Sequence, residues 1–244
     1  MADGGLEAVL SHRPCAVWLA FGDLAVHIGQ VHQSGAKVIC QVGSAQEAIE
    51  AVNAGADVIV AQGTESGGHG SPQQRLQPTL AEISDALPEV PLVAAGGINN
   101  QADLDAAHHF GAAGAALGTA FYGTHEAADT PKAKQRLVDA AGDETIRSRV
   151  YDYIRGPVWP ARYSGRTVQT SLTNEWAGKE DVLATDLDPH KAAHAQAVAD
   201  SDMSVRVLWA GTGVGEVGEI VSAASVVERF APVGNAKSMD PDGG

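Results

Sequence analysis

Residues 62–71, Gln-Gly-Thr-Glu-Ser-Gly-Gly-His-Gly-Ser, hold the side chains best suited to chemistry. Glycines let backbone approach a ligand closely, because no Cβ stands in the way. His69, set among them, can take or give a proton near neutral pH. Gln62 offers an amide donor and an acceptor together. The segment follows directly on the apolar run 57–61, the pattern of a buried strand that ends in a working loop. The other histidines carry less. His190 and His194 lie four apart and share a helix face, but no HExxH motif or carboxylate constellation accompanies them, and no metal is expected. His108, His109 and His125 read as surface or helix-end residues.

Strands must place that loop. Residues 16–20, 38–42, 57–61, 91–95 and 115–119 read as short buried strands, the last weak on propensity alone. Continuous apolar runs suit parallel strands covered on both faces. Between them, residues 45–52 and 103–110 carry apolar positions at helical spacing, with Ser44 as N-cap and Gly55 and Gly111 as stops. The phrases AGADVIVAQG and FGAAGAALGT share one grammar: helix end, Gly-Ala, strand, glycine. This is a βα repeat, and it predicts an α/β fold of (β/α) barrel type. After each strand comes glycine or a polar residue: Gly22-Asp23, Gly43-Ser44, Gln62-Gly63, Gly96-Gly97, Gly118-Thr119. Any single tight βα turn favours glycine for its own sake. Five in succession, with a histidine in the longest, mark a site on the rim where such barrels do their chemistry.

Composition agrees with a globular, ordered chain. The 244 residues are 44% hydrophobic and include 28 glycines. The net charge of −14 argues against a nucleic-acid or anionic-membrane partner. Two cysteines make no framework, and Cys40 reads as a small buried hydrophobe. No signal peptide and no bilayer-length apolar stretch is seen, so a cytoplasmic location is expected.

Three phrases taken together, ADVIVAQGTESGGHGS (residues 56–71), PLVAAGGINN (91–100) and GAAGAALGTAFYGT (111–124), resemble the nitronate monooxygenases, formerly called 2-nitropropane dioxygenases. The upstream HRPCAVWLAFGD and GAKVICQVGSAQEA and the downstream IRSRVYDYIRGPVWPARYSGR fit the same family, so the resemblance runs from about residue 7 to 230. It implies an FMN enzyme with a TIM-barrel core that uses O₂ to oxidise alkyl nitronates or nitroalkanes to a carbonyl compound and nitrite. It also implies residue roles: His69 as the active-site histidine, Gln62 and Gly67 (with Gly68 beside it) against the flavin, Gly97 with Gly96 after the next strand, and Ala116, Leu117, Gly118 and Thr119 as the phosphate-binding run. Physical chemistry is consistent with that assignment. A flavin phosphate needs backbone N–H donors, which glycine-rich turns at the last barrel strands supply.

The chain departs from the family in one respect. Five strands are readable where the family barrel has eight, and they match the fourth through eighth. The expected fold is therefore an incomplete barrel with two open sheet edges, an association hazard. Three explanations stand: a fragment or mis-started reading frame, which we favour; closure by homo-oligomerisation; or a degenerate relative without activity. An FMN-dependent enoyl-thioester reductase is the alternative enzyme.

The second half divides less sharply. We expect a partial FMN-binding barrel over 1–130, a mostly helical substrate-covering region over 131–232 and a disordered tail over 233–244. Residues 131–149 read as helical with a break at 139–142, 189–199 as a further helix, and 151–160 as too rich in proline and glycine for one regular element. Tyr151 and Trp159 there read as packing residues. Gly213-Val214-Gly215-Glu216-Val217-Gly218 matches GxGxxG between the apolar run 205–210 and a helical run 219–230. No second strand with an acidic end follows, as a dinucleotide site requires. The turn reads as a helix entry near the barrel mouth.

Overall fold

The computed structural model describes residues 5–71, 73–156 and 159–230. The described residues contain eight strands: β1 (Ala16–Leu19), β2 (Lys37–Val42), β3 (Val58–Gln62), β4 (Gly68–Gly70), β5 (Leu92–Ala95), β6 (Gly114–Ala116), β7 (Thr145–Ser148) and β8 (Ser164–Val168). Five of them form one parallel sheet in the order β1-β2-β3-β5-β6. Helices Ala25–Gln33, Ala45–Asn53, Leu76–Ala86 and Gln101–His109 connect successive strands. The fold is α/β of TIM-barrel type, and the sheet is open: β1 and β6 are its two edges.

Local sequence explains each unit. The Ser44 side chain accepts from the Glu47 N–H, and Glu47 in turn accepts from the Gly43 N–H, closing a reciprocal cap. Asn100 and Asp103 repeat the device at the start of Gln101–His109. Gly55 ends its helix at φ +109°, in the left-handed region that favours glycine. Alternate strand residues point to the helices. Val38, Cys40, Ile59 and Ala94 are fully buried there against Ile28, Ala48, Leu80 and Ile83. Truncating a fully buried leucine such as Leu80 to alanine would cost about 2–5 kcal/mol.

The other sheet face is only partly covered. Trp18 projects from it and is 47% exposed. The expectation that both faces of every strand are covered therefore fails at β1, because the sheet does not curl round to close.

Several boundaries shift. The fifth strand is Gly114–Ala116, not 115–119, because the chain bends at Gly118 and Thr119 already opens a short helix, Thr119–Tyr122. The helix expected over 131–149 is Pro131–Val138, capped by Thr130, followed by a 3₁₀ turn at Gly142–Glu144 and then β7. Thr145 and Ile146 suit a strand, and pairing of β7 with β8 completes it. The segment judged irregular contains a helix, Val150–Arg155. Residues 205–210 form no strand, only an isolated bridge between Trp209 and Thr167. The GxGxxG segment is a 3₁₀ turn, Thr212–Glu216, rather than the entry to a helix, and the following helix is Ala223–Arg229. The tail expected over 233–244 lies outside the described residues.

β4, β8 and β7 form a second, antiparallel sheet in that order. It joins the glycine loop after β3 to the chain beyond residue 131. Two smaller apolar clusters support this half, one around Leu137, Leu208 and Val214, the other around Val150, Tyr151 and Leu183.

Candidate active site

Because the main sheet is parallel, the ends of β3, β5 and β6 share one rim. A hollow of about 490 Å³ opens there. Its wall contains Gln62, Gly67, Gly68, Gly96, Gly97, Ala116, Leu117, Gly118 and Thr119, together with Trp18, Gln41 and Trp209. Every residue expected to contact a cofactor thus lies on the same hollow.

Close backbone packing shapes this wall. A Cβ on Gly67 would lie 2.6 Å from Ala210 C and Gly211 N, and one on Gly213 would lie 2.8 Å from the Gly97 carbonyl oxygen. Gly97 adopts φ +73°, which a side chain would strain. Gly68 and Gly118 are different: a Cβ on either would meet nothing within 4 Å. Among the described residues, the backbone N–H groups of Gly97 and Gly118 donate to no protein acceptor. The turns thus present donors and open space together.

His69 stands one side chain back from the hollow, in the middle of β4. Trp209, a wall residue, has its ring centroid 4.7 Å from the imidazole. Trp159 stacks on the imidazole at 4.4 Å and 17°. The Nε2 atom lies 2.5 Å from Oδ1 of Asp152, whose side chain is 4% exposed. The Gln62 amide nitrogen donates to the His69 carbonyl oxygen at 3.1 Å, tying the end of β3 to the histidine strand.

Two half-buried arginines brace the loop from behind. Arg147 donates to the carbonyls of Ser66 and Ser164, each at 2.7 Å, and to Ser66 Oγ at 3.1 Å. Arg166 donates from Nε to the Thr64 carbonyl at 3.0 Å. Burial, with the Arg166 charge added, pulls the Arg147 guanidinium down to about 10, so it stays charged at neutral pH. Burial also lowers Arg166. Among the described residues neither forms a carboxylate salt bridge, and the nearby Glu65 carboxylate partly offsets the effect of burial on both.

Asp152, Trp209, Arg147 and Arg166 were not anticipated from the sequence. Asp152 lies in the stretch read as irregular, and only the helix Val150–Arg155 turns it toward His69. Tyr151 does pack: it is 2% exposed and its hydroxyl bonds Thr170 and the Val205 carbonyl. Trp159, read as packing, lies on the histidine ring. Among the described residues there is no cluster of three metal-ligating side chains, and no helix is long and apolar enough to cross a membrane.

A TIM-barrel-type sheet with a glycine-walled rim hollow and a histidine–aspartate pair beside it defines a barrel enzyme domain. The family model of nitronate monooxygenase matches residues 2–232, and the chain belongs to that family. It is 34% identical to nitronate monooxygenase npaC of Metarhizium robertsii over 92% of this chain and 67% of that protein. It is 31% identical to a nitronate monooxygenase of Neurospora crassa over 94% of this chain and 66% of that protein. Among solved structures it resembles FabK from Thermotoga maritima (TM-score 0.81, 24% identity, 94% of this chain and 70% of that one). It also resembles nitroalkane oxidase from Streptomyces ansochromogenes (TM-score 0.78, 26% identity, 93% and 66%). The chain spans about two thirds or less of the curated relatives it matches.

Proposed function

We propose that this chain carries the active site of an FMN-dependent nitronate monooxygenase, which uses O₂ to oxidise alkyl nitronates and nitroalkanes to a carbonyl compound and nitrite. The observation that carries the reading is the gathering of Gln62, the Gly67-Gly68, Gly96-Gly97 and Gly118-Thr119 turns and Trp209 on one hollow, next to His69. The residues present fit a flavin. The open space at Gly118 is a cradle that a Cβ would fill, and the N–H groups of Gly97 and Gly118, without an acceptor among the described residues, suit a phosphate. Gln41 and Gln62 offer amides to a ring edge. When bound, FMN would supply the one-electron chemistry with O₂ that no protein side chain supplies.

The protein's own part is position and proton transfer. His69 takes the α-proton of a neutral nitroalkane, or orients a nitronate that is already an anion. Arg147 and Arg166 hold the Ser66 and Thr64 carbonyls, which keeps the loop in place for that transfer.

The test is reconstitution with FMN. A flavin absorbance band that persists through desalting, with O₂ consumption on alkyl nitronates, supports the reading; protein that stays colourless overturns it. Bleaching of the bound flavin by NAD(P)H without oxygen would assign the enoyl-thioester reductase activity instead. In His69→Asn, oxidation of neutral nitroalkanes is expected to collapse while preformed nitronates suffer less. Equal loss on both refutes the proton-abstraction role.

A further inference from the structure

We infer that Asp152 is the positioning residue that makes His69 a base toward carbon acids. The inference rests on the function proposed above. It starts from the hydrogen-bond inventory of the pair. The Asp152 side chain is 4% exposed, and among the described residues its sole hydrogen bond is the one to His69 Nε2 at 2.5 Å. Its second oxygen, Oδ2, is buried and has no partner among the described residues. A buried carboxylate with one donor depends on that donor, because desolvation without a partner costs several kcal/mol. The hydrogen therefore belongs on Nε2, and the imidazole donates it to Oδ1.

That assignment decides which ring nitrogen can react. Nδ1 makes no hydrogen bond among the described residues. With Nε2 protonated, Nδ1 carries the lone pair. The rest of the cage holds the ring still. Trp159 lies flat on the imidazole at 4.4 Å and Trp209 approaches at 4.7 Å. Asp152 is itself fixed, since its helix is anchored by Val150 and Ile154 in the core and by the Tyr151 hydroxyl.

The step balances as follows. The α-C–H bond of a neutral nitroalkane breaks, its electron pair moves onto the nitro group to give the nitronate, and the proton bonds to His69 Nδ1. The imidazolium so formed sits against the Asp152 carboxylate and later returns its proton to water. A preformed nitronate needs no such transfer, so Asp152 governs the neutral substrates selectively.

Long-range ¹H–¹⁵N correlation on the full chain, without added flavin, reads the tautomer directly, the His69 signal being identified by its loss in His69→Asn. Wild type is expected to show His69 protonated at Nε2. Asp152→Asn, whose amide can donate to Nε2, should bring in the Nδ1–H form and lower kcat/KM for neutral nitroalkanes by about 10- to 100-fold. Preformed nitronates should change little. Asp152→Glu should keep the Nε2–H form and recover part of the rate. A wild-type His69 protonated at Nδ1, an Asp152→Asn spectrum that does not move, or equal loss on both substrates overturns the inference. Should wild type oxidise neither substrate, the proposed function fails, while the tautomer in wild type and Asp152→Asn still decides the role of Asp152.

Discussion

Gly67 and Gly211 are packed backbone to backbone. A Cβ on Gly67 would lie 2.6 Å from Gly211 N, and one on Gly211 would lie 2.9 Å from Gly67 N and 2.6 Å from the Glu65 carbonyl oxygen. The Thr212 N–H donates to that same Glu65 carbonyl at 2.9 Å. This contact welds the histidine loop to the turn that carries Trp209.

Gly211→Ala is therefore expected to force two backbones apart. The overpacking cost is about 1–3 kcal/mol, read as a lower urea midpoint. The same variant should lose FMN uptake, because the wall formed by Gly67 and Trp209 shifts with it.

Gly118→Ala separates folding from binding. Its φ of −108° suits any residue, and a Cβ there touches no protein atom. Stability should stay within about 0.5 kcal/mol of wild type. FMN affinity should fall about tenfold, or ~1.4 kcal/mol, as measured by flavin fluorescence titration, and Gly118→Val should lose more.

Arg147→Met removes the fork that holds Ser66 and Ser164. Two carbonyls lose their charged donor, and stranding buried acceptors costs about 1–3 kcal/mol each. Chemical denaturation should show the loss. Arg147→Lys should recover only part of it, since an ammonium cannot span both carbonyls as a planar guanidinium does.

Asp57 sets a pH dependence at the other end of the sheet. Hydrogen bonds from Lys37 at 2.6 Å, the Val38 N–H at 2.8 Å and His32 at 2.8 Å hold its carboxyl well below the usual carboxylate range. A depressed folded-state pKa stabilises the protein above the ordinary carboxylate pKa of about 4, and that contribution is lost as pH falls through the folded value. Asp57→Asn should cost about 1 kcal/mol at pH 7, discounted because Lys37 is largely exposed. The gap between variant and wild type should narrow as pH drops below about 4.

Elements built from local rules were legible. The apolar runs at 38–42 and 57–61, the cap at Ser44 and the glycine stops at Gly55 and Gly111 are written within a few residues of one another, and each appears in the fold. The parallel order of strands follows from the βα repeat, and with it the rim that gathers Gly67, Gly97 and Gly118.

The sequence by itself thus determined the half-barrel and the glycine-walled hollow, because helix and strand periods and turn chemistry act over short stretches of chain. Only the tertiary structure decided what surrounds His69. β4 is three residues of Gly-His-Gly, too short for any period, and it becomes a strand only by pairing with Ser164–Val168. Asp152, Trp159 and Trp209 reach the imidazole through that distant pairing and through the packing of Val150–Arg155. Contacts between residues so far apart depend on how whole elements dock, and no local spacing encodes that.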